Sequence, residues 1–318
     1  MTTFIFIDGG TTSTRLRLVK DGKITFSEKL NIGAGSTKNG DNSALAGAVK
    51  EGIACLLRRA SLSEKDVEAV VCSGMICSEI GLFCVPHIEA PASREDLAKT
   101  AFRTSLPEIS AIPFCFIPGV KSGSEVRDIS DLCGVDLMRG EECEYFGLTK
   151  ALGIKGGVTV VLPGSHNKII RGDESTIFSF STTLSGEMAA ALSKGTILKN
   201  SFSLVSDYDE KYLISGYEYC LEHGINRALF GVRLLEKTFC PTEAQVSSFF
   251  MGEILCGDVE AVKAFRKNEN TPVIVGGSDP LKGELALLLR HSGIECICAE
   301  KEVCDNAATF GAAEVVQS

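Results

Sequence analysis

Asp8, Gly9 and Gly10, followed by Thr11, Thr12, Ser13 and Thr14, are the first residues whose types and spacing could do chemistry. An Asp-Gly-Gly run makes a tight hairpin by itself. Four successive hydroxyl side chains exceed what a two-residue loop requires. Glycine bares backbone N–H groups, and together with hydroxyls these form a common phosphate cradle. Phosphate binding at Gly10, Thr11 and Thr12 therefore stands beside the plain-turn reading. A second stretch of this kind is Pro163-Gly164-Ser165-His166-Asn167-Lys168. A third, Gly276-Gly277-Ser278, follows an apolar run ending at Val275. Paired glycines there would let an adenine or ribose approach the backbone, with an ordinary strand-to-helix turn as the alternative. None of the three is GxGxxG, and no Walker-type GKS or GKT occurs.

The elements that must position these loops follow from apolar periodicity. "FIFI", "RLRLV" and "ITFSEKL", with Asp21-Gly22 as a turn, predict a three-strand antiparallel meander over the first 30 residues. Residues 42–60 carry Leu45, Val49, Ile53, Leu56 and Leu57 at helical spacing. "VEAVVCSG" and "IPFCFIPG" predict buried strands, and Ser93 with Asp96 predicts a capped helix start. From Val158 the plan recurs: strand, glycine-hydroxyl loop, strand "KIIR", a Gly172-Asp173 turn and strand "STIFSF". The two three-strand units lie about 154 residues apart and share architecture rather than residues. Strands alternating with helices after each meander predict a mixed α/β fold. Two equivalent loops facing one another across a cleft would grip a polyphosphate from both ends, which points to ATP. Pro280 is expected just inside the start of the helix after the third loop.

Composition narrows the function class. The chain has 318 residues, room for two domains, with 44% hydrophobic and 23% charged content, as in soluble globular proteins. A net charge of −9 argues against a nucleic-acid partner, while leaving an anionic substrate possible at a locally basic cleft. "MTTFIFIDGG" lacks a basic n-region and a long apolar h-region, so no signal peptide is expected. No apolar run approaches membrane-helix length. The 13 cysteines include no CxxC pair, the closest spacing being Cys296-Ile297-Cys298. Zinc is not expected. Scattered thiols of this kind predict reduced core cysteines of a cytoplasmic protein.

In order along the chain, "FIFIDGGTTSTRLRL", "VVLPGSHNK" and "VIVGGS" resemble the first phosphate, second phosphate and adenosine loops of the actin, hexokinase and Hsp70 class. "CSGMICSEIGL", "FIPGV", "DLMRGEECEYFG", "LPGSHNK" and "TLSGEM" resemble the 2-dehydro-3-deoxygalactonokinases over nearly the whole chain. Gly9 stands where relatives often have Trp, and Ser165-His166-Asn167-Lys168 where they usually have Thr-His-Cys-Lys. The resemblance implies a two-domain actin-like ATPase (ribonuclease H-like) fold. Each domain is a mixed sheet that starts with a three-strand meander flanked by helices. It places an N-terminal domain at 1–145 and a C-terminal domain at 146–318. It also implies ATP- and Mg²⁺-dependent phosphorylation of the 6-hydroxyl of a 2-keto-3-deoxy sugar acid, with no nucleic-acid or membrane partner and a homodimer left open.

Residue roles follow from that resemblance. Asp8 would hold Mg²⁺ through water. Gly10, Thr11, Thr12 and Arg15, with Gly164, Ser165, His166 and Lys168, would contact phosphate, and Gly276, Gly277 and Ser278 the nucleoside. Related kinases carry a Gly-Asp about twenty residues before the second phosphate loop, and Glu141 lies 24 residues before Ser165. Glu141 is thus the expected base, with Glu142 second. Adjacent glutamates also suit a solvated helix start. Arg139 and Lys38 would meet a substrate carboxylate, Arg by planar pairing. Ser36 and Glu187 complete the expected substrate set, Glu187 being also a possible metal-shell acid or first-turn charge. The rivals are a kinase for another small sugar and a non-catalytic sensor. The presence of both Glu141 and Glu142 favours the enzyme.

Overall fold

Phe4 to Ile7 is apolar on alternate and intervening positions, which suits a strand covered on both faces. In the computed structural model, which describes residues 2–38, 40–123, 126–266 and 270–318, it forms β1 (Thr3–Gly9), followed by β2 (Thr14–Lys20) and β3 (Lys23–Leu30). The three pair antiparallel as the sequence predicts. Asp21 and Gly22 both take positive φ (51° and 74°), the requirement of a type I′ hairpin. α1 (Ser43–Ala60) lays Leu45, Val49, Ile53 and Leu56 against Ile5, Ile7, Leu16 and Leu18. The opposite face of β1 and β2 carries Phe6, Asp8, Arg15 and Arg17.

The chain continues through β4 (Val70–Gly74), β5 (Ile88–Glu89), β6 (Ala92–Ser93), α2 (Arg94–Thr100), β7 (Phe102–Leu106), β8 (Ser110–Phe116), β9 (Val120–Ser122), β10 (Asp136–Met138) and α3 (Glu141–Ala151). The main sheet runs β3-β2-β1-β4-β8-β7, with β1, β4 and β8 parallel. A small sheet, β10-β9-β5, stands beside it in sequence. α2 starts at the expected capping box. The Ser93 hydroxyl accepts from the Asp96 N–H at 3.1 Å, and the Asp96 carboxylate accepts from the Ser93 N–H at 3.0 Å.

β11 (Val158–Leu162), β12 (Asn167–Gly172) and β13 (Thr176–Thr183) form the second meander. They lead to α4 (Ser185–Gly195), α5 (Glu210–His223), α6 (Ile225–Phe239), α7 (Glu243–Phe265), β14 (Val273–Val275), α8 (Leu281–His291), β15 (Cys296–Cys298) and α9 (Lys301–Gln317). The strand order β13-β12-β11-β14-β15 repeats β3-β2-β1-β4-β8, including parallel pairing after the meander. The helical core centres on the buried α7. At Gly216 and Gly252, α5 and α7 meet backbone to backbone, since a Cβ at either glycine would overlap a carbonyl of the other helix.

By contacts the chain forms two compact units. One comprises residues 1–155, 173–179 and 306–318, the other 156–172 and 180–305. The single division expected after residue 145 falls inside α3, and the end of α9 rejoins the first unit. There Arg17 Nη1 donates to Thr309 Oγ1 at 2.6 Å. Gly147 and Gly311 let α3 and α9 touch, a Cβ at either overlapping the facing carbonyl of Ala307 or Cys143. The described cysteines are free; seven are buried, and Cys84 and Cys240 are exposed. No described helix is long and apolar enough to cross a membrane.

Candidate active-site residues

In the first unit, the chain after β1 turns at Gly10, whose N–H donates to the Ser13 carbonyl at 2.9 Å. Thr11 and Thr12 are exposed. Residues 33–36 lean on this turn: Ala34 N–H donates to Gly10 O at 3.0 Å and Gly35 N–H to Thr11 O at 2.8 Å. Ser36 and Lys38 thus stand beside the first loop, both exposed, with the Ser36 hydroxyl donating to Gly33 O at 2.7 Å.

Asp8, half-buried, closes β1 with Arg15 opposite it on β2 and Ser73 opposite it on β4. Burial raises its carboxyl above the usual range, against the pull of the Arg15 and Arg17 guanidinium groups. The same strand ends meet the first turn of α3. Gly140 precedes that helix at φ +112°, and a Cβ there would lie 3.1 Å from Gly74 Cα, so glycine is required for conformation and for approach.

Glu142 is fully enclosed, at 0% exposure. Its carboxyl accepts the Gly140 N–H at 2.9 and 2.8 Å and the Ser73 hydroxyl at 3.2 Å. Burial, then the Glu141 charge, pushes its pKa up to about 8. It therefore holds the turn in place and is not open to a ligand. Glu141 is half-buried and accepts from the Arg139 N–H at 2.9 Å. Glu144, also half-buried, is pushed up to about 8 by burial, then by Glu141 and Asp8. Four carboxyl groups thus crowd the ends of β1 and β4, where the start of α3 also favours negative charge. Arg139 Nη2 donates to Val85 O at 2.8 Å and lies 3.2 Å from His87 Nδ1, while Nη1 is buried without a partner among the described residues. Burial, then Arg139 and Lys121, lowers the His87 pKa to about 4, so the ring is neutral.

In the second unit, Ser165 and His166 are exposed and Gly164 half-buried. Gly164 N–H donates to Asn167 Oδ1 at 2.7 Å. Glu187, in the first turn of α4, donates its N–H to Ser165 O at 3.0 Å, and its carboxylate lies 2.7 Å from His166 Nε2. Gly186 packs so closely that a Cβ would overlap the Gly164 carbonyl. Lys168 is 5% exposed, and its Nζ donates to Thr182 Oγ1 at 2.6 Å, because its strand position turns the stem into the unit. The third loop adjoins the second: Gly276 N–H donates to Val161 O at 2.9 Å, and a Cβ at Gly277 would lie 2.8 Å from Pro163 O. Ser278 is exposed beside them. Pro280 caps α8 rather than starting it.

The structure thus gathers Asp8, Gly10, Thr11, Thr12, Arg15, Ser36, Lys38, Arg139, Glu141 and Glu142 in one unit. It gathers Gly164, Ser165, His166, Lys168, Glu187, Gly276, Gly277 and Ser278 in the other. Sequence reasoning gave no role to Ser73, although it placed it at the Ser-Gly end of a strand, nor to His87 and Asp258, which sit outside any glycine-hydroxyl stretch.

The duplicated sheet topology is that of the actin-like ATPase fold. A candidate 2-dehydro-3-deoxygalactonokinase from Sinorhizobium meliloti superposes with a TM-score of 0.78 at 22% identity, covering 98% of this chain and 99% of that one. A candidate N-acetylglucosamine kinase from Porphyromonas gingivalis gives 0.50 at 14% identity, covering 99% and 100%. Residues 8–313 match the model of the 2-keto-3-deoxy-galactonokinase family, and the chain belongs to that family. The 2-dehydro-3-deoxygalactonokinase of Escherichia coli strain K12 is 24% identical over 214 residues, 66% of either chain. A candidate 2-dehydro-3-deoxygalactonokinase of Rhizobium meliloti strain 1021 is 27% identical over 197 residues. That alignment covers 61% of this chain and 58% of the relative, so the chain spans about three-fifths to two-thirds of these two relatives.

Proposed function

We propose that this chain transfers the γ-phosphoryl group of ATP to the 6-hydroxyl of 2-dehydro-3-deoxy-D-galactonate in the cytoplasm. The family match over residues 8–313 carries this reading. The carboxyl cluster around Asp8 and Glu141 supplies the groups such a transfer needs. The hydroxyl oxygen bonds to the γ-phosphorus as the bond from that phosphorus to the bridging oxygen breaks, and ADP leaves with the electron pair. Glu141 takes the hydroxyl proton late in the step, since a sugar hydroxyl is a weak acid. The transition state is loose, so positioning and charge neutralisation dominate.

Among the described residues, no group of three or more His, Cys, Asp or Glu side chains could hold a metal ion by itself. This donor set fits magnesium arriving with nucleotide, which takes one or two carboxylates, phosphate oxygens and water. Asp8 would hold it, and the mutual repulsion of Asp8, Glu141 and Glu144 is what a divalent cation relieves. Bound there, magnesium supplies neutralisation of phosphate charge. Gly10, Thr11, Thr12 and Arg15, and Gly164, Ser165 and His166, are the proposed phosphate contacts. Lys168 is a further proposed phosphate contact. Gly276, Gly277 and Ser278 are the nucleoside contacts. Arg139 receives the substrate carboxylate, with Ser36, Lys38 and Glu187 as further substrate contacts.

The test is ADP release from Mg-ATP with 2-keto-3-deoxy-galactonate, 2-keto-3-deoxy-gluconate, galactonate, galactose and glycerol. Turnover with 2-keto-3-deoxy-galactonate, falling about 10²-fold or more in kcat in Glu141→Gln, is the expected result. Turnover only with another acceptor would overturn the substrate. No turnover with any acceptor while ATP binds would favour a sensor.

A further inference from the structure

Asp258 lies in the second half of α7, outside the glycine-hydroxyl loops, yet it is 1% exposed and polar. A buried carboxyl persists only where partners offset its desolvation. The Thr183 hydroxyl, at the end of β13, donates to Asp258 Oδ1. The polar side chains of Asn167 and Ser185 pull this carboxyl's pKa down, against the burial that raises it. These three residues frame the Pro163–Asn167 loop. Asn167 ends it and holds the Gly164 N–H at 2.7 Å. Ser185 opens α4, whose next two residues pack on Gly164 and bond Ser165. Asn167 is 1% exposed, and its Nδ2 and Asp258 Oδ2 are both buried without a partner at bonding geometry. One is a donor and the other an acceptor.

We propose that Asp258 is the positioning residue of the second phosphate loop. Its carboxyl orients the Asn167 amide so that Oδ1 receives the Gly164 N–H, and it anchors Thr183 at the end of β13, just ahead of α4. The loop backbone is thereby fixed from both sides before nucleotide arrives, which lowers the ordering cost of binding. The inference rests on reading residues 163–167 as a phosphate-binding loop.

The experiment uses the full chain in wild-type form and as Asp258→Ala, Asp258→Asn and Val259→Ala. Val259 is fully buried one residue further along the same helix, in the apolar core. Mg-ADP affinity is measured by calorimetry, Gly164 amide exchange by hydrogen–deuterium exchange, and Tm by melting. Asp258→Ala is expected to weaken Mg-ADP at least about ten-fold and to speed Gly164 exchange at least about ten-fold. Asp258→Asn keeps an oxygen for Thr183 but turns an amide towards Asn167, so it should fall between wild type and Ala and serves if Ala does not fold. Val259→Ala should lower Tm and leave Mg-ADP affinity within about two-fold. Unchanged affinity and exchange in the folded Asp258 variants would overturn the proposal while leaving the loop assignment standing. Equal weakening in Val259→Ala would overturn it by showing a general loss of packing. Absence of Mg-ADP binding by wild type would overturn the loop assignment and the role of Asp258 together.

Discussion

Ser73 Oγ lies 3.2 Å from Glu142 Oε1 and joins the end of β4 to the first turn of α3. Ser73 is also the strand neighbour of Asp8. This bond therefore ties the strand residue beside Asp8 to the turn that presents Glu141. Removing the hydroxyl leaves a fully buried carboxyl short of one donor. Ser73→Ala is expected to destabilise the chain by about 1–3 kcal/mol, measured by urea unfolding. The midpoint should fall with an unchanged m-value. An unchanged midpoint would mean that the bond contributes nothing to stability.

Gly140 is the second fixed point of that turn. A side chain there meets both a φ of +112° and a Cα–Cβ approach of 3.1 Å at Gly74. Gly140→Ala is expected to cost about 1–3 kcal/mol and to lower kcat, because Glu141 follows it directly. Melting and steady-state kinetics on one preparation check both effects. Wild-type kinetics in the variant would separate the turn from catalysis.

Arg139 offers a test of substrate recognition apart from nucleotide recognition. Its fork already reaches Val85 O through Nη2. Lysine keeps the charge but cannot form two parallel bonds to a carboxylate. Arg139→Lys is expected to raise KM for the sugar acid about ten-fold or more, while KM for ATP stays within about two-fold. A proportional rise in both would place Arg139 outside acid recognition.

Glu253 on α7 is fully buried, with neither carboxyl oxygen bonded among the described residues. Burial pushes its pKa up to about 9, from 4.5. Below pH 4.5 both the folded and unfolded chains hold the proton, so the group carries no penalty. Between pH 4.5 and about 9 the unfolded chain ionises first, and stability falls as pH rises. Glu253→Met should therefore be more stable than wild type by on the order of a few kcal/mol at pH 8, with the gap shrinking towards pH 5. Tm measured across that range decides it, since a gap independent of pH would show that packing alone is at work.

Some of this molecule is legible along the chain because short-range physics settles it. "FIFI" suits a strand covered on both faces, Asp21-Gly22 turns back on its own φ values, and Ser93 with Asp96 caps α2 without help. The glycine-hydroxyl loops are visible for the same reason, since their backbone freedom and their donors are local. Spacing alone does not separate Glu141 from Glu142. Their difference is one of solvation: Ser73 and Gly140 close over the second and leave the first half-open. That Lys168 is almost enclosed, with Thr182 as a partner, is set by its place on β12 and is not visible in its sequence motif. Asp258 carries no sequence signal, because its partners arrive from β12, β13 and α4 only when the unit folds. The sequence by itself determined the two meanders, α1, the start of α2 and the glycine-hydroxyl loops. Tertiary structure alone decided which polar groups stay in reach of water and which are enclosed to hold the others, because burial is set by elements remote in the chain.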